Sequence, residues 1–211
     1  NTVKFEGGFT FVKEGEGTFV ANVANQDNFG GTRILGGTVT TVAVTAAGDT
    51  AHRFSQYYFG SRDSTISVAT NAVLELSGNY DSGYYQVELM GGQMANHASY
   101  DQVDQGGAGA LTLFQDATLD FARSVTFRDR TALLNGHTLT VLLGNGKTFI
   151  LGASSVTQQI KNGILKMEGD GYLRIDGADK DLSSVNLDLN SGLYLAKSLT
   201  VHDLTVRYNG F

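Results

Sequence analysis

Four histidines, His52, His97, His137 and His202, are the first candidates for metal or acid–base chemistry. None lies three or four residues from another, so the spacing that sets two imidazoles on one helical face around zinc is absent. They read as isolated surface or turn residues, and neither a metal nor a cofactor is expected. The run Gly144-Asn145-Gly146-Lys147-Thr148 ends like a phosphate-binding loop. Such a loop needs a further glycine at position 141, where Val141 stands, and a helix whose amides face the phosphate. Phe149, Ile150 and Leu151 follow instead, so the run is a turn between strands. No G-x-S-x-G or S-x-x-K pattern offers a serine nucleophile. The chain has no cysteine, which excludes disulfides, thiolate-bound zinc and a thiol nucleophile.

Carboxylates form three groups: Asp176, Asp179 and Asp181; Asp101 and Asp104; Asp116 and Asp120. Glycoside hydrolysis needs two carboxyl groups roughly 5 Å or 6.5–9.5 Å apart. Residues two apart on a strand share a face, so Asp179 and Asp181 are expected to meet. The one cation there, Lys180, points to the other face, so a lyase-type base is missing. Gly106-Gly107-Ala108-Gly109-Ala110-Leu111 lacks the aspartate of calcium-binding nonapeptide repeats. These acids read as solvated turn residues, and no catalytic residue is assigned. Tyr57, Tyr58, Tyr80, Tyr84, Tyr85 and Tyr100 form a candidate ligand surface, because aromatic rings with a polar tip suit glycan or protein contacts. The plainer reading makes them ordinary strand residues.

The elements that carry these residues are strands. Apolar and polar positions alternate at Val3/Phe5, Phe9/Phe11, Leu119/Phe121, Leu187/Leu189, Leu199/Val201 and Leu204/Val206. A period of two broken by Gly, Asn and Asp marks short strands and turns. No window carries a capped helical stripe, and none approaches the ~18 apolar residues of a membrane helix. The 211 residues include 27 glycines and no proline, which removes ladder hydrogen bonds. The net charge of −6 opposes nucleic-acid binding and polybasic membrane contact. All of that charge lies in residues 1–104, which hold 5 Lys/Arg against 11 Asp/Glu; residues 105–211 hold 10 of each. The chain opens on Asn1 rather than Met, as expected of a processed, exported chain.

The second half repeats itself. Gly144-Asn145-Gly146 returns as Gly169-Asp170-Gly171, and Gly152-Ala153 as Gly177-Ala178, both 25 residues on. A second frame joins Ser124-Val125, Ser155-Val156 and Ser184-Val185 at steps of 31 and 29. Repeats of this length built from short strands predict an all-β fold, a parallel β-helix (β-solenoid) with coils of about 25–31 residues. Asparagine and glycine would supply the left-handed corners. The alternative is an antiparallel β-sandwich, with Asn145-Gly146 as a hairpin turn. The expected organisation is a strand segment over 1–20, exchangeable between subunits, an irregular β region over 21–104, and regular coils over 105–211.

The stretch Leu134–Gly177, with its Leu/Thr strands, Asn-Gly turns and Gly-x-Gly turns, resembles the repeats of bacterial extracellular parallel β-helices such as autotransporter passengers and adhesin-like surface proteins. The resemblance is one of repeat style over about residues 106–211. It implies an exported protein with a structural or adhesive role and supplies no catalytic residue.

Both ends of the chain are apolar and alternate like strands. An uncapped solenoid exposes strand edges that pair with other chains. The expectation is therefore a non-enzymatic structural subunit of an extracellular filament or cell-surface layer, built by strand addition and stacking, with itself as main partner. Val3, Phe5, Phe9, Phe11, Leu204, Val206, Tyr208 and Phe211 are the expected assembly residues. A polysaccharide lyase or hydrolase on the same fold, and an adhesin that binds surface glycan, are the alternatives.

Overall fold

The computed structural model describes residues 8–21, 30–41, 59, 64–76, 85–97, 102–104, 109–128, 130–153, 155–190 and 192–207. In chain order the strands are β1 (Thr10–Lys13), β2 (Thr18–Ala21), β3 (Gly31–Ile34), β4 (Gly37–Thr41), β5 (Thr65–Ala69), β6 (Ala72–Glu75), β7 (Gln86–Met90), β8 (Gln93–Asn96), β9 (Gln102–Asp104), β10 (Ala110–Gln115), β11 (Ala117–Phe121), β12 (Ser124–Phe127), β13 (Thr131–Leu133), β14 (Thr138–Leu143), β15 (Thr148–Leu151), β16 (Ile160–Lys161), β17 (Gly163–Gly169), β18 (Tyr172–Ile175), β19 (Lys180–Leu189), β20 (Gly192–Leu195) and β21 (Leu199–Val206). Sheet A takes β1, β3, β5, β7, β10, β13 and β16. Sheet B takes β2, β4, β6, β8, β11, β14, β17, β19 and β21. Sheet C takes β9, β12, β15, β18 and β20.

Every pairing between these strands is parallel. The fold is a β-solenoid, and the antiparallel sandwich is excluded. Asn145-Gly146 is a corner joining β14 to β15, strands of different sheets, and not a hairpin.

Alternation dictates the core. In β14 the buried residues are Leu139, Val141 and Leu143, and in β11 they are Ala117, Leu119 and Phe121. One coil cannot cover that face by itself, so coils stack in register. Phe19, Val39, Leu74, Met94, Leu119, Val141, Met167, Leu189 and Val206 thereby form one unbroken column through sheet B.

Coil length varies more than the repeats predicted. Ala117 lies beside Leu139, Thr138 beside Ile164 and Leu187 beside Leu204, steps of 22, 26 and 17 residues. The widest step, 35, carries Gly37 to Ala72. Only strand positions are constrained to stack, and corners absorb the difference. The Ser-Val frame is not a structural register: Val125 lies in sheet C, Val156 in a corner and Val185 in sheet B. The Gly152-Ala153 and Gly177-Ala178 repeat is structural. Gly177 has φ +74°, and a Cβ there would stand 2.4 Å from the Gly152 carbonyl oxygen. The corners from sheet A to sheet B hold Asn71, Asn135 and Asn162 at positive φ, as asparagine tolerates.

The return corner, leading into sheet A, is polar inside. Ser64, Arg130 and Gln159 directly precede β5, β13 and β16, and all three are buried. Arg130 Nη2 donates to the carbonyls of Tyr85 (3.3 Å) and Ala110 (3.2 Å). Gln159 Nε2 donates to the Phe127 carbonyl (2.8 Å). Lys180 Nζ donates to the carbonyls of Ala153 (2.6 Å) and Val156 (3.0 Å). Buried carbonyls need such donors, because an unpaired one costs about 1–3 kcal/mol.

Leu119→Ala is expected to cost about 2–5 kcal/mol in urea unfolding by opening a cavity in a closed column. Thr140→Ala, on the outer face, is expected to stay within about 0.5 kcal/mol. Lys180 gives a pH signature. Burial lowers its proton affinity, opposed in part by Asp176 and Asp179. The unfolded chain then binds that proton more tightly, so the group makes stability rise as pH climbs from the lowered value towards the ordinary lysine value. Wild-type stability minus that of Lys180→Gln should rise at alkaline pH; a flat difference contradicts the assignment.

Candidate functional site

Among the described residues, core columns are left open at the end of the stack formed by β20 and β21. Leu195 continues the column of Ile175, Leu204 that of Leu187, and Val206 that of Leu189. Their inner neighbours are fully buried, yet Leu195, Leu204 and Val206 are 52%, 43% and 47% exposed. Leu193, Leu199 and Val201 beside them are partly buried against the core. Among the described residues β21 pairs only with β19, and β20 only with β18.

The other end of the stack differs. Phe11 and Phe19, on β1 and β2, meet with ring centroids 4.7 Å apart. Lys13 occupies the column position beside Ile34, and its ammonium donates to the carbonyls of Glu14, Gly15 and Gly36 at 2.8, 2.7 and 3.0 Å. A cation thus closes that corner. Phe9 is 42% exposed. Of the expected assembly residues, Phe9 and Phe11 fall at this first coil and Leu204 and Val206 at the last. Val3, Phe5, Tyr208 and Phe211 lie outside the described residues.

The outer face of sheet B carries a polar cluster that spans three coils. Glu75, Ala95 and Asp120 share one outward column. His97, just beyond β8, lies between the two acids, with Nδ1 3.3 Å from Glu75 Oε2 and Nε2 3.5 Å from Asp120 Oδ2. Glu75 Oε1 also accepts the His97 backbone N–H (3.0 Å), and Gln93 Nε2 donates to Asp120 Oδ2 (3.0 Å). Sequence spacing did not reveal this cluster because its members come from three coils of unequal length.

The remaining sequence candidates separate. Asp179 accepts the Ser198 N–H, whereas Asp181 accepts from Gln158 and from the Ser183 N–H, so each acid caps a different segment. Asp176 accepts the Gly177 N–H and pairs with Arg174 at 2.6 Å, and both contacts hold its carboxyl below the ordinary range. Asp116 accepts the Thr138 N–H and lies 3.7 Å from His137. Asp104 is in β9, and Asp101 and His52 are outside the described residues. Among the described residues no group of His, Asp and Glu is arranged to hold a metal ion. Gly144–Lys147 is a turn closed by the Lys147 N–H on the Gly144 carbonyl, and Thr148 already opens β15.

Tyr85 is only 1% exposed; its hydroxyl accepts the Phe59 N–H (3.4 Å) and its ring packs edge-on against Phe59. It is a core residue and presents no ligand surface. The other tyrosines of that group, Tyr57, Tyr58, Tyr80, Tyr84 and Tyr100, lie outside the described residues. Exposed aromatic surface occurs on sheet C at Tyr172 and Tyr194, where the Arg174 guanidinium lies 5.4 Å from the Tyr194 ring centre. No described helix is long and apolar enough to cross a membrane. The chain matches no protein-family model, no curated protein and no solved structure.

Proposed function

We propose that this protein is a structural subunit of an extracellular filament or cell-surface layer, assembled by strand addition at the ends of its coil stack. The observation that carries the reading is the last coil, where core columns run out into solvent at Leu195, Leu204 and Val206. Covering a half-exposed leucine or valine gains about 1 kcal/mol, and a strand laid on β21 would also satisfy its unpaired edge. The repeat style over residues 106–211, similar to that of bacterial exported β-helix proteins, supports export and a structural role. The apolar first coil, with Phe9, Phe11 and Phe19, offers the second contact that a growing assembly requires.

Sedimentation velocity and electron microscopy test this. The wild-type chain is expected to form large ordered particles as concentration rises. Leu204→Lys with Val206→Lys should keep it small, with unchanged β-sheet circular dichroism. A wild-type chain that stays monomeric at high concentration overturns the reading.

A second reading, an enzyme acting on polysaccharide, is favoured by the Glu75–His97–Asp120 cluster, where two carboxylates flank an imidazole on an open sheet face. It requires release of reducing sugar ends from a polysaccharide, with Glu75→Gln reducing the rate about 100-fold. Activity unchanged in that variant removes the cluster from consideration.

A further inference from the structure

The residues of β21 run Leu199-Thr200-Val201-His202-Asp203-Leu204-Thr205-Val206. From either end the order of side-chain character is the same: apolar, threonine, apolar, ionisable. The inward face switches at the middle of the strand. Leu199 and Val201 stack beside Lys180 and Leu182, and Leu204 and Val206 beside Leu187 and Leu189. The switch arises because β19 has Ser183, Ser184 and Val185 where β21 has His202 alone. Inward positions are therefore placed symmetrically about the bond between His202 and Asp203.

That symmetry has a consequence for pairing. An antiparallel strand related by a two-fold axis through this bond sets Leu199 opposite Val206 and Val201 opposite Leu204. Thr200 then faces Thr205 on the outer side, and His202 faces Asp203. Every column residue meets a column residue, and each imidazole meets the other copy's carboxylate. Shifting the pairing by one residue would put aliphatic side chains against threonine or charge, so only this register satisfies both faces. The edge also lacks the residues that block pairing, since β21 contains no Lys, Arg or Pro. Arg207, just beyond it, is engaged with Asp188.

We propose that β21 is a self-complementary edge on which a second copy of this chain docks, antiparallel and two-fold symmetric. This deepens the assembly reading, on which it rests. An isologous contact closes on itself, so last coils pair with each other and growth must proceed through the first coil.

Charge exchange in the full chain, read by sedimentation equilibrium, tests the proposal. His202→Asp sets carboxylate against carboxylate twice per pair and should weaken association about tenfold. Adding Asp203→His to it exchanges the two groups and restores the imidazole–carboxylate contact only in the two-fold arrangement, and association should return to about the wild-type value. If the double variant stays as weak as the single one, the two-fold geometry is wrong while strand addition at β21 stands. If Leu204→Lys with Val206→Lys leaves association unchanged, β21 is not the docking edge, and the assembly reading survives only through the first coil. If the wild-type chain never associates, both fail.

Discussion

In-register parallel stacking is the constraint on which the rest of this structure depends. Each strand pairs with the same sheet's strand in the next coil, so a residue's nearest neighbours come from the coils on either side of it. The column from Phe19 to Val206 shows the result: one inward position occupied by an apolar side chain in nine successive strands of sheet B. The same rule governs the outside. Glu75 and Asp120 share an outward column, and the ladder brings them to either side of His97 across a chain separation that no local motif could span. Like charges would repel directly along such a column, and the imidazole with Gln93 sits where that repulsion would otherwise act.

Stacking also determines where polarity must enter the core. Sheet strands satisfy their own backbone groups, but corners do not, and the return corner into sheet A is wide enough to bury carbonyls. Arg130, Gln159 and Lys180 each reach inward and donate to them. Desolvating Lys180 has a cost, visible in its lowered proton affinity, and the hydrogen bonds to Ala153 and Val156 offset it. In these corners a long polar side chain thus satisfies carbonyls that an aliphatic one would leave unpaired.

The strands were legible in the sequence because alternation is a local property: Leu187/Leu189 and Leu119/Phe121 are buried as their period implies. The register was legible only where backbone contact dictates residue type. Gly177 must be glycine because the Gly152 carbonyl occupies the space of its Cβ, so the 25-residue step between them marks a true neighbour relation. The recurring Ser-Val pairs carry no such contact, and they fall on two sheets and a corner. Tyr85 shows the same limit for a site residue. Its type suits a surface, but its place immediately before β7 turns it into the polar interior of the return corner. The His97 cluster was hidden because its spacing depends on corner lengths, which follow no pattern along the chain.

Absence of proline takes on its meaning at the two ends of the stack. Proline is one of several ways to blunt an edge, and an inward-pointing charge is another. The first coil uses the second device at one place, the corner after β1: Lys13 stands in a sheet A column and spends its ammonium on three carbonyls. The last coil uses neither device. Its column positions hold Leu195, Leu204 and Val206, each half-exposed, on strands with one unpaired edge among the described residues. A head-to-tail stack in register would continue the sheet B column from Val206 of one copy to Phe19 of the next, with Lys13 beside it on sheet A. Pairing like with like instead sets an aliphatic edge against an aliphatic edge, and the aromatic first coil, with Phe9, Phe11 and Phe19, is then left as the contact through which an assembly grows.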